Sequence, residues 1–550
     1  MWWSWSKCKS TRNIMPKTIS VLPYHAAPFL CRISRLDPQH RLANMPSRQE
    51  QIRWSSGNAN GRIMHEKLVA SDAQRRTIYA LSTPFGKAGV AVVRVSGPDA
   101  LAVKQMITRP VMKKSSKKEN IPWMMERCRI VHPIHNHTLD DGLVVFFKGP
   151  RSFTTEDVLE LHTHSGRAII NSVLSALASI PSCRPAEAGE FTRRAFEGGR
   201  LDLTQVEGLK DLINAETESQ RQMALEAAGG AARAQFEQLR STIIECLVFV
   251  EGFIDFGEDV DELGQEHMYE EARVRARKIS EVIQGHLNDN RRGEILRSGI
   301  RLAIFGPPNA GKSSLLNFLA QREAAIVTPI PGTTRDVLEL TLDIGGLPVI
   351  VADTAGLRKS DNVVESIGID RARNIVKGSD ILLCVLSLPD VLINSSTGLR
   401  VEIPSSLQPL ITPHTLFLLN KGDLTTVSSD NFDDLLKNSE LTGRAWLTSL
   451  QNNHGTAEFL VGFTKTLKEI YDIQGDDITG RNPLITHARH RDHLDTALQH
   501  LNYFLTIPLE QVDFAAEELR YAAKAIGKVS GLIDNEDVLD VLFRDFCIGK

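Results

Sequence analysis

Gly306-Pro-Pro-Asn309-Ala310-Gly311-Lys312-Ser313 has the spacing GxxxxGK[ST], and Ser314 follows it. Residues in this order suit a polyphosphate. The glycines let the backbone come close, and the N–H groups of the loop and of the next helix's first turn face the phosphates. Lys312 neutralises the β- and γ-phosphates, and the Ser313 hydroxyl is a ligand for Mg²⁺. Three further blocks follow in order. "PGTTRD" puts Thr333 and Thr334 where a loop can reach Mg²⁺ and the γ-phosphate. Asp353-Thr354-Ala355-Gly356 offers a second-shell metal carboxylate and an N–H for the γ-phosphate. Asn420-Lys421-Gly422-Asp423 presents a carboxylate that accepts the N1–H and N2 amino hydrogens of guanine together, which adenine cannot supply. The four blocks specify a GTP-binding site; a fifth, Ser449-Leu450, is a weaker candidate for contact with the base.

Leu357 stands where Ras-type enzymes carry the glutamine that orients the attacking water. The replacement must come from elsewhere, and Arg358, Asp361 and Glu365 are the downstream candidates. No arginine finger is evident. The Asn309 side-chain oxygen can hold a monovalent cation to supply the missing positive charge.

Elements that can position these groups are legible around them. "RLAIF" before the glycine loop reads as a strand, "SSLLNFLA" after it as a helix, and "VIVA" and "LFLLN" as apolar strands delivering the aspartate and the asparagine. This is a Ras-like P-loop GTPase domain, expected over 298–463. Residues 77–197 alternate short apolar runs with turns around one helical stretch, "AIINSVLSALASI", an α+β pattern. Residues 198–297 and 464–550 share helical apolar spacing with few glycines or prolines, which predicts one discontinuous α-helical domain with the GTPase domain inserted into it. The fold class expected is therefore multidomain α/β.

The chain has 550 residues, 24% of them charged, and a net charge of −3. Its first 70 residues hold eleven Lys/Arg against three acids, and serines are frequent. That composition predicts a transit peptide over 1–76 and import into the mitochondrial matrix. Without this segment the body has a net charge near −11, which excludes a general nucleic-acid glove. No apolar run reaches the roughly 20 residues a membrane helix needs. The seven cysteines lack zinc-site or CxxC spacing, so neither a structural metal nor a disulfide framework is expected.

The blocks "TPFGKAGVAVVRVSG", "SFTTEDVLELHTHSG", "AEAGEFTRRAFEGGRLDLTQVEGLKDLI" and "DTAGLRKSDNVVESIGIDRA", with the terminal "CIGK", resemble the MnmE (TrmE) tRNA-modification GTPases, mitochondrial branch, colinearly over residues 77–550. The resemblance implies a folate-binding N-terminal domain through which the chain forms a homodimer. It also implies an FAD-binding MnmG/GidA-like partner. Together the two subunits install a carboxymethylaminomethyl-type group at C5 of the wobble uridine of mitochondrial tRNAs, using a tetrahydrofolate derivative (5,10-methylene- or 5-formyl-) as the one-carbon source. Carried over motif by motif, the folate contacts are Arg94, Glu160, Arg200 and Lys550. Mg²⁺ sits on Ser313 and Thr334, and K⁺ on Asn309, Thr328, Ile330 and Thr333. Glu365 takes the general-base role, and Cys547 is a functional thiol beside the one-carbon unit. Ser165 and the pair Lys87-Ala88 depart from the glycine and Arg-Gly of the family pattern. A ribosome-assembly GTPase would predict a GXXG loop in residues 484–550, where there is none. A regulatory switch protein would predict an apolar or lipidated effector surface, which the tail does not support.

Overall fold

The computed structural model describes residues 76–111, 121–256, 262–289, 291–322, 340–351, 378–395, 398–413, 415–427, 429–437, 439, 441, 444–471, 483–531 and 549. Among them no helix is long and apolar enough to cross a membrane.

The N-terminal region is a seven-stranded sheet, β1 (Thr77–Leu81), β2 (Ala88–Ser96), β3 (Thr108–Pro110), β4 (Met125–Val131), β5 (Thr138–Phe147), β6 (Val158–Ser165) and β7 (Cys183–Pro185), in the order β3-β4-β5-β6-β2-β1-β7. All pairs are antiparallel except β1 with β7. Successive strand residues point to opposite faces, and this sorts the sheet. Val93, Val95, Leu159 and Leu161 pack in one buried cluster with Val103 and Ile107 of helix α1 (Ala100–Ile107) and with Val173 and Leu177 of α2 (Arg167–Ala178). Arg94 and Glu160 therefore face the other way. There, helix α3 (Glu190–Glu197) lays Phe191 against Ile78 and Ala80.

Helices α4 (Leu203–Asn214) and α5 (Glu218–Ala228) split what reads in sequence as one amphipathic stretch. Each starts in a full capping box, Asp202 with Gln205 and Thr217 with Gln220, and two such starts make two helices. The long helices α6 (Ala231–Phe256) and α7 (Glu262–Leu287) follow, then α8 (Arg292–Ser298).

The next region is a six-stranded sheet of β8 (Ile300–Phe305), β9 (Leu340–Ile344), β10 (Leu347–Val351), β11 (Ile381–Ser387), β14 (Thr415–Asn420) and β15 (Ala445–Leu447), ordered β15-β14-β11-β8-β10-β9; β12 (Leu392–Ser395) and β13 (Gly398–Val401) form a small hairpin beside it. Only β9 runs antiparallel to its neighbour. Helices α9 (Lys312–Arg322), α10 (Leu388–Val391), α11 (Ser429–Lys437) and α12 (Thr456–Ile470) cover the sheet. The expected end of this domain at residue 463 shifts outward. Phe459, Phe463, Leu467 and Tyr471 keep one helical stripe in the same buried cluster, so the helix cannot be divided there.

Helices α13 (Ala488–Phe504) and α14 (Val512–Ser530) return to the earlier bundle. Phe236, Ile243, Val250 and Ile283 share one core with Leu494, Leu501, Leu519 and Ile526, so two pieces separated by the nucleotide-loop region build a single helical core.

Candidate functional site

The loop between β8 and α9 has its shape set by close approaches. Gly306 has φ +149, and a Cβ there would lie 2.0 Å from the Val385 carbonyl oxygen of β11. Gly311 has φ +105, and a Cβ there would lie 2.1 Å from Asn420 Nδ2. Asn309 is held at φ +58 and is exposed, and Ala310 is fully buried. Lys312 Nζ donates to the carbonyl oxygens of Gly306 and Pro307 at 2.9 and 2.7 Å, so the ammonium already lies over the loop. Burial lowers its pKa. Beneath it the Cys384 thiol is pushed up to about 12, chiefly by burial, and stays an unreactive thiol. Ser313 and Ser314 are exposed in the first turn of α9.

Asn420 has a role that its motif does not state. Its Nδ2 donates to the Ala310 carbonyl oxygen at 2.9 Å, and its Oδ1 accepts from Leu450 N–H at 3.1 Å. It joins the phosphate loop to the loop after β15. Lys421 (φ +64) then turns the chain into a 3₁₀ segment that leaves Asp423 exposed. The Ser449 N–H, the weak candidate for contact with guanine, is donated to the His454 carbonyl oxygen at 2.9 Å. Thr328, Ile330, Thr333, Thr334, Asp353, Thr354, Ala355, Gly356, Glu365, Cys547 and Lys550 lie outside the described residues.

The second cluster is on the α3 face of the N-terminal sheet. Strand register places Ala80, Arg94, Glu160, Val145 and Met125 in one row across it. Arg94 donates from Nε and Nη2 to Glu160 Oε1 at 3.0 and 2.9 Å. Its guanidinium also lies 5.5 and 5.8 Å from the rings of Phe153 and Phe191. Arg200 does not join this pair. It is exposed and donates to the Arg151 carbonyl oxygen at 3.2 Å.

An ionic network that motif reading missed holds α3 in place. Arg194 is buried and donates to Glu156 (2.9 and 3.1 Å), Glu190 (2.9 Å) and the Arg76 carbonyl oxygen (2.9 Å). Arg184 also reaches Glu190, and Ser96 donates to Glu156 at 2.7 Å. Burial pushes the Glu190 pKa up, but bonds from Arg184, the Glu187 N–H and Arg194 outweigh it and leave the carboxyl below its usual range. The available signal was a set of charges in otherwise apolar blocks, "FTTED" and "EFTRRAF".

The far end of the chain reaches this sheet. Ser82 Oγ donates to the Gly549 carbonyl oxygen at 2.9 Å. Gly549 is buried at φ +102, and a Cβ there would lie 2.1 Å from the Leu81 carbonyl oxygen, so only glycine fits. The departures from the family pattern are also accommodated. Ser165 ends β6 and donates to the Gly86 carbonyl oxygen at 2.6 Å, which ties down the β1–β2 loop; Arg167 lies 5.4 Å over the Phe85 ring of that loop. Gly86 and Gly89 have open space where a Cβ would stand, and Ala88 opens β2 without strain.

A third cluster lies where α4 meets α13. Glu207, His487 and His490 place ligand-type atoms within 4.8 Å of one another. Glu207 is already saturated, however. Arg489 donates to both its oxygens at 3.0 and 2.9 Å, and His490 Nε2 lies 2.8 Å from Oε2. The guanidinium takes the place a metal would need, so the cluster is a buried ionic lock. Burial would raise the Glu207 pKa, but His490 and Arg489 hold it well below the carboxylate range. Burial pushes His487 down to about 3, with Glu207 partly opposing.

Two family models match the chain: "MnmE helical domain" over residues 203–547 and "GTP-binding protein TrmE N-terminus" over 77–200. The chain is 44% identical over 483 residues to a Danio rerio protein named 5-taurinomethyluridine-[tRNA] synthase subunit GTPB3, mitochondrial, covering 86% of this chain and 93% of that one. It is 40% identical over 496 residues to the Dictyostelium discoideum tRNA modification GTPase gtpbp3, mitochondrial (86% and 95%). It is 43% identical over 482 residues to tRNA modification GTPase MnmE of Parvibaculum lavamentivorans (86% and 100%).

Proposed function

The chain belongs to the MnmE (TrmE) family of tRNA modification GTPases, and on that premise we propose that it hydrolyses GTP to drive modification of the wobble uridine of mitochondrial tRNAs. The product is a carboxymethylaminomethyl-type group at C5. It is made in the mitochondrial matrix with an FAD-binding MnmG-like partner, by a homodimer joined through the N-terminal domain.

The loop Gly306–Ser313 suits a polyphosphate, because its glycines keep the backbone open and Lys312 already sits over it. Lys312 and the N–H groups from Asn309 to Ser314 bind the phosphates, and Asp423 selects guanine. Ser313 and Thr334 would hold Mg²⁺, and Asn309, Thr328, Ile330 and Thr333 would hold K⁺; these ions supply positive charge where negative charge builds up. Thr333, Asp353, Thr354, Ala355 and Gly356 surround the γ-phosphate, and Glu365 takes the proton of the attacking water. On the sheet face, Arg94 and Glu160 with Arg200 and Lys550 bind the tetrahydrofolate derivative, which supplies the one-carbon unit, and Cys547 places a thiol beside it.

The observation that carries this reading is the seating of Gly549 on Ser82, at the edge of the face bearing Arg94 and Glu160. A tail residue seated beside the strand row that carries the Arg94–Glu160 ion pair serves the chemistry of that face rather than the bundle it leaves. The test is to express the chain lacking residues 547–550 in a strain without the gene and to measure wobble-uridine modification by mass spectrometry of mitochondrial tRNA. Modification should be lost while basal GTP hydrolysis of the purified protein stays near normal. Full modification by the truncated chain would refute the role of the tail.

A further inference from the structure

The outer face of the helical pair α13 and α14 leaves large aromatic side chains open to solvent. Phe514 is 68% exposed, Tyr503 59% and Tyr521 44%. Single exposed apolar side chains are ordinary, but these three belong to one patch. Phe514, Glu518 and Tyr521 stand at i, i+4 and i+7 on α14, and His500 and Tyr503 at i and i+3 on α13, spacings that put side chains on one side of a helix. His500 joins the two stripes. Its Nδ1 lies 2.7 Å from Glu518 Oε2, and its ring centre lies 5.3 Å from that of Tyr521. On the far side of α14, Arg520 donates to Glu251 of α6 at 2.7 Å and to Glu517 at 2.9 Å.

The rim of this patch is acidic. Residues 499–521 hold four acids, Glu510, Asp513, Glu517 and Glu518, against one base, Arg520, which Glu251 and Glu517 already neutralise. Exposed rings beside basic groups suit the stacked bases of a nucleic acid, but rings among carboxylates repel its phosphates. Aromatic side chains with an arginine at their edge are the composition of the centre of a protein–protein contact. The end of the chain lies elsewhere. Gly531 closes α14 about 25 Å from Phe514, against Phe196 and Leu203, and Gly549 lies on the N-terminal sheet.

We propose that the aromatic face of Tyr503, Phe514 and Tyr521 is the docking surface for the FAD-binding subunit, which meets it with an apolar patch rimmed by lysine and arginine. The inference rests on the partner reading above and gives that partner a place on this chain. Charge selects the occupant. The body of this chain has a net charge near −11, so most of the phosphate charge of a tRNA must be met by another subunit of the assembly. A subunit basic enough to hold tRNA is drawn to an acidic rim, and the rings supply the apolar area on which the contact closes.

The test mixes the purified full chain with the purified FAD-binding subunit and follows sedimentation velocity at the flavin absorbance, so that only species containing that subunit are read. The proteins are wild type, Phe514→Ala with Tyr521→Ala, Glu510→Lys with Asp513→Lys, and Val461→Ala, an exposed residue of α12. The aromatic pair should weaken the complex about 30-fold, the scale of losing interface hot spots. The charge reversal should weaken it about 10-fold at low salt and much less at high salt. Val461→Ala should change nothing, and all three should keep the wild-type Tm and basal GTP hydrolysis. If the aromatic pair lowered Tm, the charge reversal on exposed side chains would still decide. Wild-type affinity in both double variants would overturn the placement and leave the partner reading standing. So would an intact flavin complex alongside lost tRNA binding or lost self-association, which would make the face an RNA contact or a contact between copies of this chain. If wild type formed no complex with the FAD-binding subunit, the partner reading and the placement would fall together.

Discussion

The phosphate loop takes its shape from eight consecutive residues, Gly306–Ser313, plus one outside tie from Asn420. The Arg94 face is assembled differently, from Ser82, Arg94 and Glu160 on separate strands, a helix held by Arg194, and Gly549 from the other end of the chain. In the first region backbone conformation makes the site, through glycines that allow close approach. In the second, side-chain charges and strand register make it. Damage should therefore act differently in the two. In the loop it should change nucleotide handling and little else, whereas on the sheet it should change folding and folate binding together.

The sharpest separation should come from Glu365→Ala. It should leave GTP affinity nearly intact and lower turnover by about 10²-fold or more, the scale for losing a general base. Single-turnover hydrolysis checks this; unchanged turnover would move the role to Arg358 or Asp361.

Arg194→Met tests the other region. It leaves Glu156 and Glu190 short of a buried cation, and should destabilise the N-terminal domain by about 3 kcal/mol. Thermal unfolding should show an early transition that takes 5-formyltetrahydrofolate binding with it, while basal GTP hydrolysis is kept. Equal loss of both activities would break the comparison.

Asn420→Ala removes two hydrogen bonds that tie the phosphate loop to the loop after β15. At about 1 kcal/mol each, GTP affinity should fall about 30-fold, with folate binding untouched. Fluorescent-nucleotide titration reads the effect.

The smallest effect concerns acid. His487 is held neutral down to about pH 3 in the fold, whereas an unfolded histidine titrates near 6.5. Between these values the unfolded chain binds a proton the folded chain refuses, so stability falls as pH falls through that window. Glu207, held below its usual range, acts in the same direction at lower pH, because its contribution is present above its unfolded pKa and lost as it is protonated. His487→Gln should remove about 1 kcal/mol of the acid sensitivity at pH 5.5, measured as the slope of Tm against pH. The phosphate loop has no comparable titration among its described residues, so nucleotide affinity should not follow that slope.

Residue order alone carried the expectation of a nucleotide site, and the described part of it, the loop Gly306–Ser313 between a strand and a helix, has the expected setting. Turn glycines, the lysine and the apolar strands before them act within a few residues of one another, so spacing carries the information. The two-piece helical core was also legible, because helical apolar periodicity persists on both sides of the insertion. Tertiary structure alone decided that α12 belongs to the nucleotide-loop domain as far as Tyr471, since an amphipathic stripe does not say which core it enters. It alone gave the Arg200 guanidinium to the Arg151 carbonyl oxygen rather than to the Arg94–Glu160 pair, and spent the Ser449 N–H on His454. It also brought Arg94 onto Glu160 and Gly549 onto Ser82. Those meetings depend on strand register and on a chain end returning across more than 460 residues. No local pattern of residue types encodes a contact whose partners are that far apart in the sequence.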